Sequence, residues 1–147
     1  MVLQAKDIMD TTFLTLDEET DALSCARAMV ERRKGYAIVT SGGPAKVTGI
    51  VTEWDFLEKI VGPGVDPSRV KLKEIASPVA RACRPETPTD EVVSTMSKLG
   101  VRRLIVRADD QVLGVITAKT ILAIFREYVD KLSVEIAGNQ SNQTPLG

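Results

Sequence analysis

The stretch GIVTEWDFL, residues 49–57, joins the end of an apolar strand to the start of a helix. Gly49 to Val51 indicates a buried strand end, and Asp55 to Val61 has helical spacing. Thr52 and Asp55 therefore lie at the N-cap and first turn of that helix, where free N–H groups suit a phosphate. A carboxylate three residues after a hydroxyl also suits ribose hydroxyls. The alternative interpretation is a pair of capping residues that only starts the helix.

The same pattern occurs a second time, in the stretch GVITAKTIL at residues 114–122. Further matches lie outside this stretch, and they pair Lys6-Asp7-Ile8 with Lys73-Glu74-Ile75, Met29 with Met96, and Ile38-Val39 with Ile105-Val106. A repeat that covers most of the chain indicates that the fold is built from repeated units. Two copies are too few for a solenoid. The sequence therefore predicts a pseudo-symmetric pair of half-domains.

Each half is predicted to run strand, helix, strand, strand, helix, which gives an α/β (α+β) fold. The predicted strands are 13–16, 36–40, 47–51, 80–83, 101–107 and 112–116, and the predicted long helices are 20–34, 55–61, 90–99 and 120–134. The first half spans residues 1–62, a Gly- and Pro-rich linker spans 63–71, the second half spans 72–134, and an Asn- and Gln-rich disordered tail spans 135–147. A unit of roughly 60 residues is marginal alone. We therefore expect the two sheets to pack together with the helices outside.

Bulk composition argues against several classes of protein. The net charge of −1 gives no general electrostatic attraction to nucleic acid. No run approaches the ~18 apolar residues of a membrane span, and residues 1–9 lack the apolar core of a signal peptide, so we expect a cytoplasmic protein. Cys25 and Cys83 are the only cysteines and histidine is absent, so no metal site of the usual zinc kind is expected.

The ordered pair of repeats resembles the cystathionine-beta-synthase (CBS) domain family, in which two tandem domains form a Bateman module. The resemblance covers residues 3–132 and rests on the paired Gly-apolar-apolar-Thr strand ends, on Asp55 three residues after Thr52, and on the strand Arg103 to Val106. It implies that the chain is not an enzyme and binds adenine nucleotides or adenosyl ligands in two clefts. Each cleft is expected to combine residues of both repeats.

The resemblance implies that the first cleft, cleft one, contains Ile50, Thr52, Asp55, Ala76, Val79, Ala80, Val101, Arg102 and Arg103. Asp55 would accept hydrogen bonds from the ribose, and Thr52 would meet the phosphate at the helix N-terminus. Because side chains alternate along a strand, only one of the two arginines is expected to reach the phosphate, and the family pattern favours Arg103. Trp54, the only tryptophan, is expected either in core or interface packing or against the base.

The second cleft, cleft two, would contain Met9, Thr11, Thr12, Lys34, Gly35, Tyr36, Thr117 and Thr120. Thr120 stands where the first repeat has Asp55, and a hydroxyl makes weaker contacts with a ribose diol than a carboxylate does. Cleft two is therefore expected to be weak, empty or selective for another ligand.

The resulting hypothesis is a stand-alone regulatory or sensor module that binds AMP, ADP, ATP or a ligand like S-adenosylmethionine. It would need no other cofactor, metal or catalytic residue, would form a homodimer through its helices, and would act on an unknown effector protein. A rival hypothesis is a structural or interaction module with vestigial clefts. An enzyme of small nucleotides is disfavoured, because the chain has no histidine and no arrangement that activates a nucleophile.

Overall fold

The computed structural model describes residues 3–79 and 81–142. The first repeat consists of α1 (Ala5–Ile8), β1 (Thr15–Asp17), α2 (Ala22–Arg32), β2 (Tyr36–Thr40), β3 (Val47–Thr52) and α3 (Glu53–Phe56), which continues as a π-helix over Leu57–Val61. A 3₁₀ turn, Pro67–Arg69, lies between the repeats. The second repeat consists of α4 (Leu72–Ile75), β4 (Ala82–Cys83), α5 (Thr89–Leu99), β5 (Arg103–Ala108), β6 (Gln111–Thr117) and α6 (Ala118–Asn142).

The two repeats build two sheets of the same topology. In the first sheet β1 pairs parallel with β2, and β2 pairs antiparallel with β3; in the second, β4, β5 and β6 repeat this order. The register is also repeated, since Ile38 lies opposite Ile50 in one sheet and Ile105 lies opposite Val115 in the other. The predicted fold class and internal repeat are confirmed.

Side-chain alternation assigns the two faces of each sheet to different cores. On β2, Ala37 and Val39 pack under the helices of the first repeat, whereas Tyr36 and Ile38 enter a cluster that contains Ile105. This third cluster joins the two sheets face to face and also holds Val112 and Val115. The cluster of Leu104, Val106 and Ile116 is covered by α5 and α6 of the second repeat together with α1 of the first. The sheets therefore pack together with the helices outside.

Each repeat also reaches across to pair with the other. Asp10, in the lead-in of the first repeat, exchanges two backbone hydrogen bonds of 2.9 and 3.0 Å with Val115 of β6. Ser77, at the corresponding place of the second repeat, exchanges two bonds of 2.9 Å with Ile50 of β3. These crossed bridges bring the end of each final strand beside the lead-in of the other repeat.

The C-terminal ends of two helices, α2 and α6, differ from the prediction. The α2 helix was expected to stop at Gly35, but Arg33 takes the left-handed conformation with φ 52°. Gly35 is instead a point of close approach, because a Cβ there would overlap Glu53 Oε1 and lie 2.6 Å from Arg103 Nη2. The α6 helix was expected to end near Val134, with a disordered tail from residue 135.

The structure continues α6 to Asn142, so the expectation of disorder is wrong for residues 135–142, and residues 143–147 lie outside the described part. Val134, Ile136 and Ala137 carry the apolar pattern of the helix past its predicted end, and no proline interrupts it before Asn142. Among the helices described, none combines the length and the apolar character that crossing a membrane requires.

Candidate functional site

A cavity of about 620 Å³ lies where β3 passes into α3, facing the start of β5. Its wall combines both repeats, as the crossed arrangement predicts. Of the residues expected in cleft one, five line this cavity: Ile50, Thr52, Val101, Arg102 and Arg103. The remaining lining residues are Glu53, Trp54, Leu57 and Gly100. We use the name cleft one for this cavity.

Thr52 and Asp55 form a capping box at the start of α3, and Thr52 is the member of the pair that lines cleft one. The backbone N–H of Thr52 donates to Asp55 Oδ2 at 2.8 Å, and the Thr52 hydroxyl lies 3.2 Å from the same oxygen. Asp55 is only 6% exposed, and its Oδ1 accepts from Lys59 Nζ at 3.1 Å and lies 3.4 Å from Ser77 Oγ. The carboxylate is therefore turned into the protein, and the capping interpretation describes its contacts in this structure.

Some residues expected in cleft one do not line the cavity. Asp55 lies behind Thr52, and Ala76 and Val79 pack against the first and third core clusters. The pairing of Ile50 with Ser77 explains this, because it draws the chain that carries Ala76 against β3 and away from the opening. Ala80 lies outside the described residues.

The two arginines of cleft one differ in their partners. Arg103 lies with its guanidinium 5.3 Å from the centre of the Tyr36 ring and 3.4 Å from Glu53 Oε1. The Arg102 side chain is exposed and makes no ion pair with any residue of 3–79 or 81–142. Both side chains line cleft one, where both were expected. The strand begins at Arg103, so the argument from strand alternation, by which only one of them would reach a phosphate, does not apply to Arg102.

Trp54 lies at the mouth of cleft one and not in the core. Its side chain is 65% exposed, and its indole N–H donates to Glu58 Oε2 at 2.6 Å. Glu53, the neighbour of Trp54, was not among the predicted site residues, yet it lines cleft one and also the cavity that corresponds to cleft two. Glu53 could have been identified from the sequence, because the first residues after an N-cap lie around the same helix N-terminus as the cap residue itself.

A smaller cavity of about 350 Å³ lies at the end of β6 and corresponds to cleft two. Five of its predicted residues line it: Lys34, Gly35, Tyr36, Thr117 and Thr120. Met9, Thr11 and Thr12 do not line it. Met9 packs into the second core cluster and fills the space beside Gly114, where a Cβ would lie 2.7 Å from its Sδ. The other lining residues are Asp10, Arg33, Glu53, Arg103 and Lys119.

Hydroxyl groups replace the carboxylate in the cap at cleft two. The Thr117 Oγ1 and Thr120 Oγ1 atoms lie 2.9 Å apart, and the Thr120 N–H donates to Thr117 Oγ1 at 3.1 Å. An acid is nevertheless present, because Asp10 lies in the wall and binds Lys34 Nζ at 2.6 Å. Asp10 was not among the predicted residues of cleft two, although the crossed pairing of the lead-ins makes its position equivalent to that of Ser77.

Tyr36 forms a buried part of the wall of cleft two. Its side chain is only 3% exposed, and its hydroxyl finds no hydrogen-bond partner within the described ranges. Burial is the main cause that raises the pKa of Tyr36 to about 12, and Asp10 adds to the shift. The phenol is therefore neutral at physiological pH and remains available to donate a hydrogen bond.

The ion pair in cleft two predicts an acid-sensitive part of the stability. The hydrogen bond from Lys34 lowers the pKa of Asp10 from its ordinary 3.8 to about 2. A lowered pKa stabilises the folded state above the unfolded value, so this contribution is lost as the pH falls from about 4 to about 2. For a side chain that is 31% exposed, we expect on the order of 1 kcal/mol.

Urea unfolding of the wild type and of Asp10→Asn at pH 7, 4 and 3 measures this contribution. The wild type should lose the extra stability on acidification, and Asp10→Asn should not. Asp110→Asn, in the exposed β5–β6 turn, is the control for removal of a carboxylate elsewhere. Parallel curves for the wild type and Asp10→Asn would refute the assignment.

Comparison with known proteins is consistent with this architecture. The CBS domain family model matches residues 5–62 and 72–127. An uncharacterised protein of Methanocaldococcus jannaschii is 24% identical over 120 residues, which is 81% of this chain and 64% of that protein. This chain thus spans less than two thirds of the length of that relative.

Solved structures share the fold. A hexameric CBS-CP12 protein from bloom-forming cyanobacteria has a TM-score of 0.75 at 28% identity, over 83% of this chain and 71% of that one. The CBS domain pair of protein MJ0100, in complex with 5′-methylthioadenosine and S-adenosyl-L-methionine, has a TM-score of 0.77 at 20% identity, over 87% of this chain and 99% of that one. With both family matches falling on the two repeats seen in the structure, the chain belongs to the CBS domain family and carries two such domains in tandem.

Proposed function

We propose that this chain is a regulatory module that binds an adenine nucleotide or an adenosyl ligand in cleft one. The observation that carries the proposal is the cavity of about 620 Å³ between the repeats, with the Thr52 cap at one side and the exposed Arg102 at the other. Such a volume falls within the range of small-molecule sites. The complex of the MJ0100 domain pair with adenosyl ligands supports the choice of ligand class.

The cleft offers a different surface to each part of such a ligand. Ile50 and Val101 present apolar surface for the base, and the exposed indole of Trp54 lies beside them. Arg102 is the proposed first contact for a phosphate, because it gives up no existing ion pair in the described chain, whereas Arg103 already lies between Glu53 and Tyr36. This choice replaces the preference for Arg103 that the family resemblance suggested.

Asp55 is still proposed to accept a hydrogen bond from the ribose, but a ribose hydroxyl would have to replace one of its present partners. Its four acceptor positions are occupied, and the weakest of these contacts is Ser77 Oγ at 3.4 Å. A ribose hydroxyl that displaces Ser77 would make a shorter, charge-assisted hydrogen bond without disturbing the cap. Binding would then require a small movement of Ser77 toward solvent.

Cleft two is proposed to bind adenosine ligands more weakly than cleft one. Its cavity is smaller, its cap carries Thr120 instead of a carboxylate, and Lys34 is already paired with Asp10. A phosphate that recruits Lys34 would leave Asp10 without its partner, and an acid facing an incoming anion opposes binding.

A ligand in cleft one would act by bridging the repeats. It would contact β3 and α3 of one repeat and the start of β5 of the other, so it would favour one relative arrangement of the two sheets. The effect is limited by the difference in affinity for the two arrangements. The output is proposed to reach an effector protein through a homodimer.

The rival proposal is a structural or interaction module with vestigial clefts. One observation favours it: the Asp55 carboxylate has no free acceptor position, and its contacts explain its presence as a cap and as a partner of Lys59. The two proposals differ in whether purified protein binds any adenosine compound.

Isothermal titration calorimetry with AMP, ADP, ATP and S-adenosylmethionine, with GMP as the base control, separates them. We expect at least one adenosine compound to bind with a Kd below about 100 µM and to raise the Tm, and GMP to bind more weakly. No heat and no change in Tm with any compound would favour the structural module. Incubation with ATP, followed by analysis for ADP and AMP, tests for nucleotide hydrolysis.

Arg102→Ala is expected to weaken binding of a phosphate-bearing ligand about fivefold, or about 1 kcal/mol. The loss should be larger for ATP than for AMP and should shrink as salt is raised, because the contact is between charges. Arg69→Ala removes the same charge from the exposed turn between the repeats and is the matched control. Equal effects of the two substitutions would place the phosphate away from Arg102.

A further inference from the structure

Cleft two differs from cleft one in the kind of surface that its wall presents. The wall of cleft one includes the apolar side chains of Ile50, Leu57 and Val101, whereas the ten described residues that line cleft two include no aliphatic side chain. Six of these ten are charged, and the other four are Gly35, Tyr36, Thr117 and Thr120. Because a purine base needs apolar surface to lie against, this wall suits a small polar ligand better than a nucleoside.

The charges in the wall of cleft two do not cancel. Four bases and two acids line the cavity. Each acid is paired with a base, in the pairs Asp10–Lys34 at 2.6 Å and Glu53–Arg103 at 3.4 Å. The two bases that remain are Arg33 and Lys119, and neither side chain makes an ion pair within residues 3–79 and 81–142. An anion that contacts Arg33 and Lys119 would therefore leave both existing pairs intact.

The N-terminus of α6 adds a partial positive charge to the same wall. The helix begins directly after Thr117, and its residues Lys119 and Thr120 line the cavity. Thr120 donates its N–H to Thr117 Oγ1, but Lys119, as the second residue of the helix, has no intrahelical acceptor for its own N–H. At cleft one, Asp55 places a negative charge in the first turn of α3, whereas the first turn of α6 contains no acid. The positive end of this long helix is thus left without a compensating carboxylate in its own cap.

The Tyr36 hydroxyl is an independent sign of a ligand at this place. The Tyr36 side chain lines cleft two and is only 3% exposed, and no residue of the described chain accepts from or donates to its hydroxyl. Burial raises the pKa of this hydroxyl, and Asp10 and Arg103 of the same wall also act on it, so the hydroxyl lies close to the cavity. A buried hydroxyl without a partner is costly, and an anion oxygen in cleft two would supply an acceptor.

We propose that cleft two binds a compact oxyanion of the phosphate class that carries no nucleoside. Arg33, Lys119 and the N-terminus of α6 would hold the anion, and the Tyr36 hydroxyl would donate a hydrogen bond to it. The cavity of about 350 Å³ is at the lower end of the range for small-molecule sites. The proposal concerns a different cavity and a different ligand from those of cleft one, so it stands whether or not an adenosine compound binds there.

Isothermal titration calorimetry with sodium pyrophosphate and with inorganic phosphate tests the proposal, with sodium chloride at the same ionic strength as the control. We expect pyrophosphate to bind with a Kd below about 1 mM and more tightly than phosphate, because it carries the larger charge. The affinity should fall as sodium chloride is raised. No heat with either anion up to about 10 mM overturns the proposal.

Lys119→Met is expected to weaken pyrophosphate binding at least about tenfold. Lys131→Met is the matched control, because Lys131 is an exposed lysine of the same helix that lines neither cleft. Equal losses in the two variants would show a general charge effect and overturn the proposal. A larger loss of pyrophosphate affinity for Arg102→Ala than for Lys119→Met would place the anion in cleft one and overturn it as well. With AMP as the ligand we expect the larger loss for Arg102→Ala, which tests the proposed function separately.

Tyr36→Phe tests the contact to the hydroxyl alone, because it keeps the ring that lies beside Arg103. The free energy of unfolding without added anion should not fall, since the hydroxyl has no partner in the described part of the chain. The affinity for pyrophosphate should fall about threefold or more. An unchanged affinity, or a loss of stability without any anion, would overturn the assignment of this hydroxyl to the anion.

Discussion

Gly49→Ala is expected to lower the free energy of unfolding by about 3 kcal/mol. Gly49 is a buried residue of β3, and a Cβ at this position would lie 2.6 Å from the backbone oxygen of Ser77 and 3.3 Å from Ala76 Cβ. The Ser77 oxygen belongs to the backbone, so it cannot move away from the new Cβ as the end of a flexible side chain could. Relief of the clash would separate β3 from the segment that Ile50 and Ser77 hold by their two hydrogen bonds.

Urea unfolding followed by circular dichroism measures this loss. Gly42→Ala is the control, because a Cβ at Gly42 meets nothing within 4 Å and the cost there is confined to its φ of 68°, about 1 kcal/mol. If both substitutions cost the same, the close approach of the two repeats at this bridge is not as the structure describes it.

Asp55→Ala is expected to affect stability and binding together. It removes the acceptor for the Thr52 N–H and leaves Lys59 without its carboxylate, and we expect a loss of about 2 kcal/mol in the free energy of unfolding. Affinity for the adenosine compound that binds best should fall at least tenfold, about 1.4 kcal/mol. The binding loss follows from the proposed ribose contact and from the displaced cap.

Two variants separate these causes. Thr120→Ala changes the corresponding cap residue at cleft two and should affect binding much less. Lys59→Met removes the cation that contacts Asp55 Oδ1 while it keeps the cap, so it should reduce stability and leave most of the affinity. Equal binding losses for Asp55→Ala and Thr120→Ala would contradict the ranking of the two clefts. A loss of stability with unchanged affinity for Asp55→Ala would assign Asp55 a capping role only.

The features that the sequence predicted well were those repeated along the chain. The β2 strand has the predicted bounds, Tyr36–Thr40, because its five residues are all buried and its ends are marked by Gly35 and by a Gly- and Pro-containing turn. The pairing of the two halves was predictable because an apolar sheet face on a small unit needs a partner. The crossed clefts followed from the resemblance and not from these patterns.

The features that the sequence missed depend on contacts between distant segments. Asp10 enters the wall of cleft two because its backbone pairs with Val115, more than a hundred residues away along the chain. The Asp55 carboxylate does not line cleft one, because Lys59 and Ser77 both contact its Oδ1 atom and hold it inside the protein. The helix α6 extends beyond its predicted end because a polar composition, which predicts disorder, also suits an exposed helix.

The most direct test of cleft one is a titration of Trp54 fluorescence with the adenosine compound that calorimetry finds to bind best, since Trp54 is the only tryptophan and lies at the mouth of the cavity. We predict a change in emission that saturates at one ligand per chain, with the same Kd as calorimetry gives. The change should require at least about tenfold more ligand in Asp55→Ala. Binding by calorimetry without any change in Trp54 emission, or no binding of any adenosine compound, would contradict the proposal that an adenosine ligand occupies the cavity between the repeats.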